Sequence, residues 1–392
     1  MNRRWVIVSA LLSMAHSVAF AQGPVITSFQ GNGTLTWTNG VTNVMYRVEW
    51  SPTLASGWFR SWQSLTSMES QTNRTTSASV PMFYRVVMVT NPVPTDMVLV
   101  DAGQFRMGNQ SLNESGEEWY SRETPVHPVW VDAFYMDRYE VCNLQWDAVH
   151  AWATNHGYEF AADVEEQGPH FPVASVLWYD AVKWCNARSE KEGLTPAYYA
   201  SSNRTSVYRT GTNDIGADCV KWQANGYRLP TEAEWEKAAR GGLDGHHFPW
   251  PSLGGVWSNH LDGTKANYLD SGDEYEWGGR TPVGYFNGSQ VVTSSAGELL
   301  VGADMANGYG LYDMAGNAWE WCWDWFGWTY YLESPTRNPT GPTAGTARLI
   351  RGASMMDGGP QWLKGLRCSN RESCPPGYTD GTVGFRCART AE

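Results

Sequence analysis

Residues Asn307 to Trp325, NGYGLYDMAGNAWEWCWDW, constrain the fold more than any other stretch of the chain. Glycine turns and carboxylates interrupt an aromatic run that ends in four tryptophans, so the segment reads as neither a regular helix nor a regular strand. Along it, Asp313, the carbonyls near Gly316 and Ala318, and Glu320 line up as hard oxygen donors on a turning backbone, the donor set that calcium takes. The same residues also fit a tryptophan-rich core folded around a glycine turn.

A chain of 392 residues holds one large domain and a small one, and 42% hydrophobic residues suffice for packed cores in both. Forty glycines and 22 tryptophans beside only 17% charged residues point to a loop-rich fold pinned by large rings and buried polar groups, with regular elements in the minority.

The first residues read as a secretory signal: Arg3 and Arg4, an apolar run from Trp5 to Leu12, and a small-x-small site at Ala19-Phe20-Ala21. Residues 1–21 are therefore expected to be removed, leaving 26 basic against 40 acidic residues, a balance of −14. That charge argues against nucleic acid or an anionic membrane surface as partner. No later segment has the roughly 18 uninterrupted apolar residues of a membrane span, so an exported protein is expected, whether periplasmic, cell-surface or extracellular. Seven cysteines in such a chain favour disulfides, with at least one thiol left over. The absence of CxxC and HExxH spacings argues against zinc.

Residues 22–90 alternate apolar and polar positions, at Leu35 and Trp37, at Tyr46, Val48 and Trp50, and at Tyr84, Val86 and Met88. Period two means strands, and a small β-sandwich-like module is expected there, followed by a linker over 91–96. From Met97 the texture changes to an α+β domain running to residue 392. Asn143 is expected to cap a helix carrying Trp146 and Val149. Trp178, Ala181, Val182 and Cys185 make the buried stripe of a second helix. Thr231 and Glu234 form a capping box opening a third, with Trp235, Ala238 and Ala239 as its apolar face. After Gly241 almost nothing regular is expected before the strand-like RLIRGAS and VGFRCAR.

Four of these segments, GYRLPTEAEWEKAARGG (226–242), GLYDMAGNAWEW (310–321), RLIRGAS (348–354) and GFRCAR (384–389), follow an MVLVDAGQFRMGN start in one order. Together they resemble the formylglycine-generating enzyme, or sulfatase-modifying factor, family over residues 97–389. The resemblance implies a C-type lectin-like fold that commonly holds calcium. Carried over, one calcium falls at Asp313, Gly316, Ala318 and Glu320. A second falls at Asn267 and Asp273 with the carbonyls of Tyr268 and Tyr275, where Asp270 competes with Asp273.

The family oxidises a substrate cysteine at two copper-binding thiolates just past the turn that here reads Gly352-Ala353-Ser354. Asp357 stands at the first of those positions and Trp362 at the second. A carboxylate and an indole do not replace thiolates for copper(I), so the oxidase chemistry is expected to be absent and copper is not expected as a cofactor. Ser354 and Trp319 match other pocket positions. The resemblance also implies a Cys185–Cys387 disulfide. It leaves Cys368 without its usual mate, at Ala239, so a short Cys368–Cys374 bridge is expected, with two of Cys142, Cys219 and Cys322 free to pair. Asp357 with Asp380 or Glu372 is a further candidate acid/base pair, although nothing in the spacing brings them together.

Three functions fit these residues. The first is a calcium-stabilised aromatic cleft, with Trp319, Ser354, Asp357 and Trp362, that grips a peptide or glycan without changing it. The second is an oxidoreductase, copper-dependent through displaced cysteines or related to non-haem iron enzymes, acting on a thiol. The third is a surface-assembly protein.

Overall fold

The structure is a computed structural model. It describes the strands at 25–29, 35–38, 45–51 and 83–89, and residues 96–391 except 111–120, 163, 165–166, 251–260, 274, 276–278, 295–296, 359–362 and 379. The expected signal segment and Trp362 lie outside the described residues. The chain divides into two compact units, one ending at Val93 and the other starting at Pro94.

In the first unit β1 (Val25–Phe29) pairs antiparallel with β2 (Leu35–Thr38), and β3 (Met45–Ser51) with β4 (Phe83–Val89). The β3–β4 register sets Tyr46 opposite Met88, Val48 opposite Val86 and Trp50 opposite Tyr84, which are the positions whose alternation marked the strands. The sandwich expected over 22–90 extends into residues outside the described set.

The second unit holds two four-stranded sheets, each assembled from distant parts of the chain. One has the order β5 (Met97–Val100), β8 (Phe134–Asp137), β16 (Ala388–Thr390), β9 (Tyr227–Arg228) and is antiparallel throughout. The other runs β14 (Glu372–Cys374), β13 (Arg348–Arg351), β12 (Trp319–Trp325), β15 (Val383–Gly384), with the β12–β15 pair parallel. Two hairpins stand beside them, β6 (Gly103–Met107) with β7 (His127–Val131) and β10 (Val291–Thr293) with β11 (Leu299–Val301).

Three α-helices of the unit lie wholly among the described residues. α1 (Asn143–Thr154) is capped by Cys142 rather than by Asn143, which is its first helical residue and spends its amide on Gly168 O at 2.8 Å. α2 (Trp178–Lys191) buries the expected Trp178, Ala181, Val182 and Cys185, and its Trp184 stacks on Trp146 of α1 with centroids 6.0 Å apart. Asp180 in its first turn accepts the backbone N–H of Ala161 and Ala162 and pairs with Lys183 at 2.8 Å, so its buried charge is fully spoken for. α3 (Glu232–Ala239) starts at the expected box, with Thr231 Oγ1 accepting from Glu234 N at 3.2 Å and Glu234 Oε2 accepting from Thr231 N at 2.9 Å.

The stretch expected to be irregular contains a strand after all. β12 spells WEWCWDW, and all seven of its residues are buried. Tryptophans at 319, 321, 323 and 325 keep period two, but Glu320, Cys322 and Asp324 between them are also inside, so the usual alternation of buried apolar and exposed polar is missing. The buried acids are satisfied by long-range partners: Glu320 by Arg386 and Trp235 Nε1, Asp324 by the N–H of Glu232 at 2.8 Å. β10 and β11, three residues each, occupy a region in which almost nothing regular was expected. No helix of the described residues is long and apolar enough to cross a membrane.

Candidate functional site

The end of β13, the turn that follows it and the edge of β14 enclose a cavity of about 350 Å³. Trp319 at the start of β12 and Ile350 of β13 give it an apolar wall, and Arg122, Asp357, Lys364, Asn370 and Glu372 give it polar ones. Gly352 and Ala353 both hold positive φ, +94° and +68°, and this bends the chain sharply off β13. The bend brings Ser354 against Asp357, whose Oδ2 accepts the Ser354 N–H and O–H, each at 2.8 Å. Burial pushes the Asp357 carboxyl above its usual range, and the Ser354 bonds pull partly back.

Two ion pairs frame the cavity. Arg122 meets Glu372 on one side, and Arg367 forms a two-pronged pair with buried Glu123 at 2.8 Å on each prong. Asn370 lies between them, 5% exposed. Its backbone carbonyl accepts from Arg351, but its side-chain amide Nδ2 has no hydrogen-bond partner among the described residues. A buried amide without an acceptor costs about 1–3 kcal/mol. Asp357 and Glu372 do share the cavity, whereas Asp380 binds Thr382 outside it. Arg122 and Asn370 went unread in the sequence because no local pattern marks them; they reach the cavity only through pairing of distant segments.

The proposed calcium residues gather next to this cavity. Gly316 N donates to Gly352 O at 2.7 Å, which ties the 313–320 segment to the cavity turn. Asp313 Oδ2 accepts from Gly284 N at 2.6 Å. Asn317, at φ +68°, donates its amide to Glu140 at 2.9 Å and its backbone N–H to Asn267 O at 2.9 Å, which joins the second proposed set to the first. In that second set Asp273 accepts from Tyr275 N and Ser271 Oγ, the Tyr275 carbonyl accepts from Gly279 N, and the Tyr268 carbonyl accepts from Ser271 N. Glu140, absent from the sequence reading, also accepts from Ala318 N at 3.1 Å.

The donor chemistry of the first set suits a hard cation. Glu140 and Glu320, both buried, and the half-buried Asp313 bring three carboxylates to one region, and Arg386 is the guanidinium bound there, to Glu320 at 2.6 Å. Burial and then the neighbouring Asp313 and Glu320 charges push Glu140 well above its ordinary range, and burial raises Asp313 to about 6. Among the described residues no three His, Cys, Asp or Glu side chains close on one point by themselves. An ion here therefore depends on the Gly316 and Ala318 carbonyls as well.

The profile described as sulfatase-modifying factor enzyme 1-like domain matches residues 85–391. The chain belongs to that family. Within it, a formylglycine-generating enzyme of Streptomyces coelicolor is 36% identical over 316 residues, covering 75% of this chain and 89% of the relative. A protein of Paenibacillus barcinonensis named as the chaperone LppX is 33% identical over 239 residues, covering 59% of this chain and 72% of its own. Among solved structures, Treponema denticola variable protein 1 aligns with a TM-score of 0.52 at 27% identity, covering 75% of this chain and 94% of that one. Both formylglycine-generating relatives and proteins of other names thus share this member's domain.

Copper does not fit the residues of this family member. Asp357 offers a hard carboxylate engaged with Ser354 where the family pattern has its first thiol. The seven cysteines are all buried and unbonded. Cys185 and Cys387 do meet, with their sulfurs 3.6 Å apart. The expected Cys368–Cys374 bridge is not formed: Cys368 belongs to the apolar cluster around Trp235 and Cys374 to the cluster around Trp178. Burial pushes each of these two thiols up to about 12, which leaves almost no thiolate at neutral pH, and neither lines the cavity.

Proposed function

We propose that the chain is an exported, non-oxidising member of its family that holds a peptide segment in the Trp319–Asp357–Asn370 cavity. The observation that carries this reading is the Asn370 amide, buried at the cavity without an acceptor. A peptide carbonyl supplies that acceptor, the Trp319 side chain gives an apolar surface, and Asp357 and the Arg122–Glu372 pair offer charges of both signs for polar side chains. The relative named as a chaperone lends support, since it places a protein of that description on the same domain. The scaffold is read as a C-type lectin-like variant whose loops calcium ties together.

Screening labelled random heptapeptides against the protein tests the reading. Enriched peptides are expected to bind about five- to tenfold more weakly to Asn370→Ala, the worth of one hydrogen bond. Failure to enrich any peptide, with glycans captured instead, would move the ligand class to sugars. In the same preparation, anaerobic titration is expected to show no stoichiometric copper(I) site and no aldehyde on a cysteine-containing sulfatase-type peptide under oxygen. One copper per chain with aldehyde formation sinks the non-oxidase reading.

Calcium is expected to act as a structural ion at Asp313, Gly316, Ala318 and Glu320. Free calcium at 100 times its dissociation constant should stabilise the fold by about 2.7 kcal/mol over the protein in chelator, and Asp313→Ala should remove most of that gain. Identical unfolding midpoints in calcium and in chelator would eliminate the ion.

A further inference from the structure

A second cavity, of about 420 Å³, opens where β7, β9 and β16 end and α3 begins. It shares no lining residue with the first. Its wall includes Trp222, Gln223, Arg228, Asp132, Asn338 and Thr340. The volume falls within the range of small-molecule sites.

The charges at this wall are already cancelled. Arg228 grips Glu234 with Nη1 and Nη2, both at 2.6 Å, and Glu234 also accepts the N–H of Thr231. Asp132 accepts from Trp130 Nε1 at 2.9 Å and from Asn338 Nδ2 at 2.7 Å, and pairs with Arg337. An ion entering here would find no opposite charge waiting. What remains is directional and neutral. Arg228 is 5% exposed, yet its Nε–H has no hydrogen-bond partner among the described residues. The Arg228 guanidinium lies over the half-buried Trp222 ring, its carbon 5.6 Å from the ring centre. Gln223, Thr340 and Asn338 add amide and hydroxyl groups that both give and take hydrogen bonds.

We propose that this cavity is a binding site for a neutral, hydroxyl-rich small ligand of the sugar class. A ring hydroxyl accepts from Arg228 Nε, the apolar face of the ring lies on Trp222, and the remaining hydroxyls meet Gln223, Asn338 and Thr340. Acetate and phosphate are excluded by the Glu234 and Asp132 carboxylates, which already occupy the cationic groups. The site does not depend on the peptide reading of the first cavity.

Ligand-observed saturation-transfer NMR on the full chain, with methyl α-glucoside, methyl β-galactoside and N-acetylglucosamine as probes, tests this. At least one probe is expected to bind. Gln223→Trp, at an exposed position on the wall, and Thr340→Trp from a separate segment are each expected to weaken binding at least tenfold, whereas Asn370→Ala in the first cavity leaves it unchanged. Three silent probes overturn the proposal. So does binding that survives both tryptophan plugs, binding lost in Asn370→Ala, or displacement of the sugar by an equal concentration of acetate.

Discussion

Arg386→Met is expected to destabilise the large unit by about 3–5 kcal/mol, the cost of stripping one partner from a buried ion pair. Arg386 is wholly buried and donates Nε and Nη2 to the two oxygens of Glu320 at 2.7 and 2.6 Å. It also donates to the carbonyls of Tyr312, Asp137 and Arg138, at 3.0, 3.3 and 3.3 Å. Without it, Glu320 keeps, among the described residues, the side-chain bond from Trp235 Nε1 alone, beside the carboxylates of Asp313 and Glu140. Urea unfolding of Arg386→Met should be set against Arg337→Met, which breaks an exposed pair with Asp132 and should cost no more than about 1 kcal/mol. Equal losses in the two variants would refute the account. The double variant Arg386→Met with Glu320→Leu is expected to recover part of the loss, because it removes the stranded charge as well.

Gly316→Ala is the second large effect, at about 3 kcal/mol or more. Gly316 holds φ +81°, and a Cβ there would come within 2.1 Å of Asn267 O, a backbone atom that cannot swing aside. The substitution would drive apart the two proposed calcium segments and pull the Gly316 N–H from Gly352 O, at the floor of the cavity turn. Gly193, just past α2, is the control: its φ is +72°, but a Cβ there meets nothing within 4 Å. Gly193→Ala should cost about 1 kcal/mol from backbone strain alone. If the two glycines prove equally tolerant, the close approach of the 267 and 316 segments is not what holds the site.

Features set by near neighbours in the chain were readable in advance. The Thr231–Glu234 box and the Trp178–Cys185 stripe depend on residues three to seven positions apart, and both appear in the structure where the spacing put them. β12 was hidden for the opposite reason. A strand buried on both faces has no solvent side to advertise its period, and the partners that let its acids lie inside, Arg386, Trp235 and the Glu232 N–H, are far away in sequence. The cavity was half legible. Trp319, Ser354 and Asp357 follow from motif positions, but Arg122 and Asn370 arrive from segments that carry no signature, and Glu140 beside the calcium set is equally silent.

β16 lies inside its sheet, hydrogen-bonded to β8 on one side and β9 on the other, yet it follows every other described strand in the chain. While the chain is being made, β5 and β8 are therefore a two-stranded remnant, too small to be stable alone, and β9 has no neighbour in that sheet. Glu320 is in the same position, translated well before the Arg386 that neutralises it. This sheet thus cannot be completed behind the ribosome until residues 388–390 have emerged. In this sheet the strand latest in the chain fills the gap between two strands that precede it by about 160 and 250 residues.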